Sequence, residues 1–200
     1  PFKILPRGHV GMNQAVYVGE VPQFLDIRGR SDKQPVLLYI HEPGRSALPT
    51  AHVYGGSLER RFLVVHWDQR GTHRSHVEEL ERFPLDLDRL VADTVELAGL
   101  LAEWFHKEKI LLVAEGLGAL PAVLAAKAAP ERFFGLVLLA PVVDVQGAQA
   151  HAHQWALDQG YAHGPREALQ ALQDLGDRPW PNDKEAAHQV ALSGWVDALG

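Results

Sequence analysis

Cysteine is absent from the chain, which excludes disulfides, thiolate zinc sites and a cysteine nucleophile, and leaves the redox compartment undetermined. No apolar run reaches the roughly 18 residues of a membrane-spanning helix. A basic excess is missing too. Nineteen Lys and Arg stand against 25 Asp and Glu, for a formal charge of −6, and they form no stripe. Nucleic acid and anionic membrane are therefore not expected partners. The sequence holds no internal repeat, no low-complexity tract and no cofactor motif, so no cofactor is expected. No signal-peptide pattern opens it, which favours a cytoplasmic protein, although the first residue is Pro1 and a leader could already be missing. What is present is ordinary for a globular chain: 200 residues, 46% apolar and 22% charged, enough for one α/β domain with a sizeable core.

Strand signals come early. Residues 12–18 and 21–27 flank Gly19-Glu20 and alternate loosely, which predicts an antiparallel hairpin at one edge of a sheet. Continuous apolar runs follow at residues 36–40 (VLLYI), 62–66 (FLVVH), 110–114 (ILLVA) and 134–140 (FGLVLLA), of the kind that fills a parallel sheet covered on both faces. Between the second and third of these, residues 86–107 carry apolar side chains at helical spacing behind Asp86 and Asp88. Strands separated by helices predict an α/β fold, a doubly wound and mostly parallel sheet with an antiparallel N-terminal edge. From Asp144 the character changes. Helices are expected over residues 146–160, 165–175 and 184–199, with a Pro-rich connector at 176–183. The chain thus divides into a core, residues 1–143, and a helical segment, residues 144–200.

The organising stretch is residues 109–121, KILLVAEGLGALP, where a buried strand turns sharply into an Ala-rich helix. This is the setting of the nucleophile elbow G-x-S-x-G, whose strained turn lifts a serine above the sheet. Aligned on it, Ala114 takes the first glycine, Glu115 and Leu117 the variable places and Gly118 the last glycine, while Gly116 stands where the nucleophile would be. Glycine relaxes an unusual backbone angle and removes the hydroxyl. A phosphate cradle is the other reading of such a turn, but the third glycine and the Lys-Ser/Thr of a P-loop are missing.

These residues, with Val65-His66-Trp67-Asp68-Gln69-Arg70-Gly71, Ile40-His41, the segment APERF at 129–133 and the strand ending at Pro141, resemble the α/β-hydrolase superfamily and, within it, the proline iminopeptidase-like group. The W-D-Q-R-G string carries most of the specificity. The likeness implies an α/β-hydrolase sheet followed by the start of a helical cap. It implies an oxyanion-hole region at His41, Gly44 and Leu117, where His41-Glu42-Pro43-Gly44 replaces a longer glycine-rich segment, and it places the catalytic acid and histidine after the cap, beyond the last residues here. A carboxylate at Glu42 would oppose an oxyanion. The expected function is a binding or scaffold role without hydrolysis as the chain stands. The alternatives are an aminopeptidase or esterase inactivated at the nucleophile or completed by a C-terminal part or partner chain, and a lyase-like acid/base activity using Glu115.

Other residues have chemistry of their own to weigh. Glu42 and Glu115 would both project toward the vacant place and could share acid/base work; in the plainer reading Glu115 bonds a neighbouring loop and Glu42 is solvated. Asp144 could stand in for the missing acid. In the W-D-Q-R-G loop, Trp67 is expected to pack, Asp68 and Arg70 to form an ion pair, and Gly71 to permit the turn. His66, His73 and His76 lie near that strand end, and His151, His153, His163 and His188 in the helical segment; all are read as structural or solvated, because i, i+2 pairs do not share a helix face and no metal site is expected. Residues 136–139 should form a sheet edge that a companion chain or a second copy covers, and a small-molecule or peptide ligand is the expected occupant of the strand ends.

Overall fold

The computed structural model describes residues 10–42, 55–76, 85–142 and 144–176, together with residues 192, 194, 196 and 198. They divide into two compact units, Pro1–Val143 and Asp144–Gly200.

In the first unit six strands form one sheet in the order β1-β2-β4-β3-β5-β6. β1 (Val10–Val18) and β2 (Val21–Gly29) pair antiparallel through a two-residue turn at Gly19 and Glu20, both at positive φ (54° and 67°). That combination suits the twist of a tight hairpin. β2 is antiparallel to β4 (Leu63–Asp68), whereas β3 (Val36–Ile40), β4, β5 (Ile110–Glu115) and β6 (Phe133–Leu139) are mutually parallel where they pair. The mixed sheet and its antiparallel edge are those expected of an α/β-hydrolase. β3 and β4 are buried along their whole length, as central strands are, and in β4 the burial includes the polar His66 and Asp68.

Two helices lie against one face. α1 (Leu87–Trp104) begins at Asp86, whose side chain accepts the Arg89 N–H at 2.8 Å, and it buries Leu90, Leu97, Ala98, Leu101 and Ala102 at helical spacing. α2 (Ala119–Ala128) buries only small residues, Ala119, Pro121, Ala122 and Ala125, which lets its axis sit close to the sheet. Together with Leu38, Ile40, Val65, Trp67, Leu112 and Ala114 they form the main core. A smaller cluster of Leu37, Tyr39, Val64 and Val113 occupies the opposite face. Among the described residues β6 borders only β5, and Phe134 (53% exposed), Val137 (43%) and Leu139 (43%) remain in contact with water. The last strand is therefore not the doubly covered element its sequence suggests.

The second unit contains α3 (Val145–Ala162) and α4 (Arg166–Asp174), joined by a cluster of Ala156, Leu172 and Leu192. His153, buried inside it, has Nε2 at 3.0 Å from the Leu172 carbonyl. Most of the expected connector at 176–183 and helix at 184–199 lies outside the described residues.

Candidate functional site

The parallel strands β3, β4 and β5 end together, and their C-terminal ends build the site. β5 finishes at Glu115; Gly116 then takes φ +55° and opens the short 3-10 turn Gly116–Gly118 that feeds α2. Only glycine holds this left-handed angle without cost. The turn is held from behind: Val142 N–H donates to the Gly116 carbonyl at 2.9 Å. Gly118 is small for a different reason. A Cβ there would lie 2.6 Å from the His41 carbonyl oxygen and 2.8 Å from that of Ile40, so the backbone leaving β3 presses directly on the turn.

That backbone is fixed in turn. His41 is buried with Nδ1 at 2.6 Å from the Glu42 carbonyl and Nε2 at 2.7 Å from the Trp67 carbonyl, and Gln69 Nε2 donates to the His41 carbonyl at 2.7 Å. Glu42 extends from this anchored loop over the elbow. Its Cγ and Cδ lie 2.9 Å from the place where a residue-116 Cβ would be, and its Oε1 is nearer still. The volume that a nucleophile's side chain would fill is thus taken by the Glu42 carboxylate. Glu42 is half-buried rather than simply solvated.

Glu115 points elsewhere. It is exposed, and its Oε2 accepts a 2.6 Å hydrogen bond from the Tyr39 hydroxyl on the adjoining strand, not from a neighbouring loop. Burial, followed by that hydrogen bond and by the carboxylate's charge, pushes the Tyr39 phenol well above its ordinary value, so Tyr39 stays a donor. Leu117 is 38% exposed at the start of the turn, and Gly44 lies outside the described residues.

The W-D-Q-R-G loop corrects one expectation. Asp68 and Arg70 do not pair with each other. β4 ends at Asp68 and the chain reverses at Gly71 (φ +76°), so the two side chains leave the loop toward different neighbours. Asp68 Oδ2 accepts from Arg74 Nε at 2.7 Å and lies 3.2 Å from His73 Nδ1. Arg70 runs inward to Asp93 of α1, with Nε to Oδ2 at 2.8 Å, and its Nη2 also reaches the Gly19 carbonyl at 2.8 Å. Gln23 completes the network, donating to Asp93 Oδ2 at 2.9 Å and accepting from Trp67 Nε1 at 2.8 Å and Arg70 N–H at 2.9 Å. Gln23 and Asp93 were missed in the sequence; a lone Asp on the apolar face of an otherwise regular helix was the available signal. Asp144 also has a local task, capping α3 by accepting the Gly147 N–H at 2.9 Å. Among the described residues no group of three His, Asp or Glu side chains is placed to hold a metal ion.

Comparison with known proteins agrees with this architecture. The sequence pattern described as serine aminopeptidase, S33 (Hydrolase_4) matches residues 32–178, most of the chain. The chain belongs to this family. It is similar to the Bacillus subtilis (strain 168) protein named Probable aminopeptidase YbaC, at 26% identity over 175 residues, covering 87% of this chain and 55% of that one. A proline iminopeptidase-related protein of Thermus thermophilus superposes with TM-score 0.60 at 27% identity, covering 92% of this chain and 66% of that one. A 2-hydroxy-6-oxo-6-phenylhexa-2,4-dienoate hydrolase of Rhodococcus sp. strain RHA1, at 17% identity and TM-score 0.58, covering 96% of this chain and 67% of that one, shares the fold alone. This chain thus spans about half the length of the curated relative it matches. It is an α/β-hydrolase of the proline iminopeptidase-like kind whose elbow carries glycine where the motif has serine.

Proposed function

We propose that this S33-family chain binds at its strand ends and, as it stands, does not hydrolyse. The observation that carries the reading is the elbow itself: Gly116 offers no hydroxyl, and the Glu42 carboxylate lies in its place. No acyl-enzyme can form on glycine. A carboxylate at that point also opposes the negative charge that develops when a carbonyl is attacked, where this class of site needs hydrogen-bond donors. A small molecule or a peptide is the ligand we expect at the ends of β3 and β5, in a cytoplasmic setting. The test is hydrolysis of an activated ester and of amino-acid anilides by the purified chain. Rates at the buffer background support the reading, and a pre-steady-state burst overturns it.

A second reading is supported by the aminopeptidase name of the curated relative. In it the same fold belongs to an aminopeptidase or esterase inactivated at the nucleophile, or completed by a C-terminal part of the polypeptide or by a partner chain. Among the described residues β6 pairs with β5 alone and carries the exposed Phe134, Val137 and Leu139, which supports the partner version of either reading, because an open strand edge is a template for a further strand. We favour a companion polypeptide. Sedimentation of the purified chain separates the outcomes: a compact monomer that binds no hydrophobic dye removes the partner, and a dimer makes it a second copy.

A further inference from the structure

The N-terminal ends of the parallel strands, at the opposite end of the sheet from Gly116 and Glu42, carry a feature that the elbow does not explain. β5 and β6 pair with a slip there: Ile110 faces Phe133 and Leu111 faces Gly135, which leaves Phe134 as an extra residue with no opposite number. A bulge of this kind re-aims a side chain. Phe133 stays in the main core, whereas Phe134 is exposed and lines a hollow of about 380 Å³ together with Pro35, Lys33, Lys107, Glu108 and Lys109. The lysines come from two separate turns, Lys33 ahead of β3 and the other two between α1 and β5. Lys107 ties those turns together, its Nζ donating to the Lys33 carbonyl at 3.0 Å. Among the described residues none of the three lysines forms an ion pair. Three cations against one carboxylate is a local reversal in a chain where 25 acidic residues outnumber 19 basic ones.

We propose that this hollow is a second binding site, for a small aromatic anion whose ring packs on Phe134 and Pro35 while its phosphate or carboxylate head faces the lysines. The volume falls within the range of about 300–1,000 Å³ usual for small-molecule sites, which pair apolar walls with a few charges that fix orientation. Lysine ammonium groups serve an anionic head as point charges. The formal charge of −6 repels anions at long range, so any preference for them has to arise locally, from lysines gathered by the turns. The exposed Phe134 adds the second half of the selection, because an anion without a ring leaves that surface in water. No residue of this site belongs to the elbow, so the proposal stands whether or not the chain hydrolyses.

The test titrates phenyl phosphate into the isotope-labelled full chain and follows the backbone amide resonances, with inorganic phosphate as the anion without a ring and benzylamine as the ring without an anion. Phenyl phosphate should saturate the shifts of Lys33, Lys109 and Phe134 at millimolar concentration, the range open to so small a ligand. Inorganic phosphate should bind the same residues about threefold more weakly or worse, and benzylamine should not saturate. Lys33→Gln and Lys109→Gln should each weaken phenyl phosphate about threefold, as the loss of a partly exposed charge contact does. Phe134→Ser should weaken phenyl phosphate by about threefold or more while leaving inorganic phosphate within about twofold. Lys127→Gln removes the same charge outside the hollow and should change affinity by less than about 1.5-fold. Lys107 is left intact because it also holds the Lys33 turn. Shifts that never saturate or that map to other residues overturn the proposal, as does benzylamine binding as well as phenyl phosphate. A loss with Lys127→Gln equal to that with Lys109→Gln overturns it too. Should a variant lose its fold by circular dichroism, the comparison of the three probes on the unmutated chain decides.

Discussion

Asp93→Ala should cost the first unit more stability than any single change at the elbow, for reasons that can be worked through. Asp93 is fully buried on α1 and accepts from Arg70 Nε at 2.8 Å, Arg70 Nη2 at 3.1 Å, Arg89 Nε at 2.8 Å and Gln23 Nε2 at 2.9 Å. The side chain of Arg89 is 30% exposed and can turn to water, so its loss is small. Gln23 keeps the Val18 carbonyl at 3.1 Å. Arg70, 1% exposed, keeps the Gly19 carbonyl but loses its only counter-charge among these partners, and a buried cation stripped of its partner costs about 3–5 kcal/mol. Against a total stability of about 5–15 kcal/mol, that is a large share. With a urea m-value of about 2 kcal/mol/M, the midpoint should fall by about 1.5–2.5 M. Two further variants check the assignment. Arg89→Ala should cost less than about 1 kcal/mol, and Arg70→Met combined with Asp93→Leu should cost less than Asp93→Ala alone, since it removes both charges. A loss below about 1 kcal/mol for Asp93→Ala, or a double variant worse than the single, would refute the argument.

Three other changes probe the site. Gly118→Ala should lower stability by about 1–3 kcal/mol or more, because the added methyl meets carbonyl oxygens that cannot move; a neutral effect in urea titration counts against the close approach of β3 and the elbow. Gly116→Ser should cost about 1–3 kcal/mol through its positive φ and should leave ester turnover at background, since Glu42 holds the hydroxyl's place and both His41 ring nitrogens already face carbonyl oxygens; a stable, active Ser variant contradicts this. Tyr39 gives a pH signature. Its folded-state value is raised above the ordinary 10.0, so its contribution is complete below about pH 10 and is lost as pH rises beyond that, where the unfolded phenol ionises first. Alkaline unfolding curves should therefore fall more gently in Tyr39→Phe, and identical slopes would remove Tyr39 from the account.

How far the sequence spoke for itself depends on the range of each interaction. Buried parallel strands are continuous apolar runs, so β3, β4 and β5 were legible to within a residue or two, and α1 announced itself by the Asp86 cap and its helical spacing. The elbow was legible because a strand followed by Gly-x-Gly has few conformations, and the positive φ at Gly116 follows from that. The partners of polar residues were not. Arg70 looked two residues along the chain to Asp68, whereas its partner Asp93 is 23 residues away on a helix. Of the two carboxylates expected at the vacant place, Glu42 does lie over Gly116, whereas Glu115 turns to Tyr39 on the adjoining strand, a contact between residues 76 positions apart that leaves no local trace in the sequence. The edge position of β6 was legible, because no further strand follows residues 136–139 in the sequence, and among the described residues β6 does stand at the end of the sheet.

The central claim is that the elbow has no nucleophile, and covalent capture tests it most directly. The purified chain is incubated with a fluorophosphonate, digested and mapped by mass spectrometry. The account predicts no adduct on the peptide carrying residues 109–121 and no stoichiometric label on the intact chain. A single stoichiometric phosphonyl group, at whatever residue the digest places it, would show that an activated nucleophile exists after all and would contradict the account.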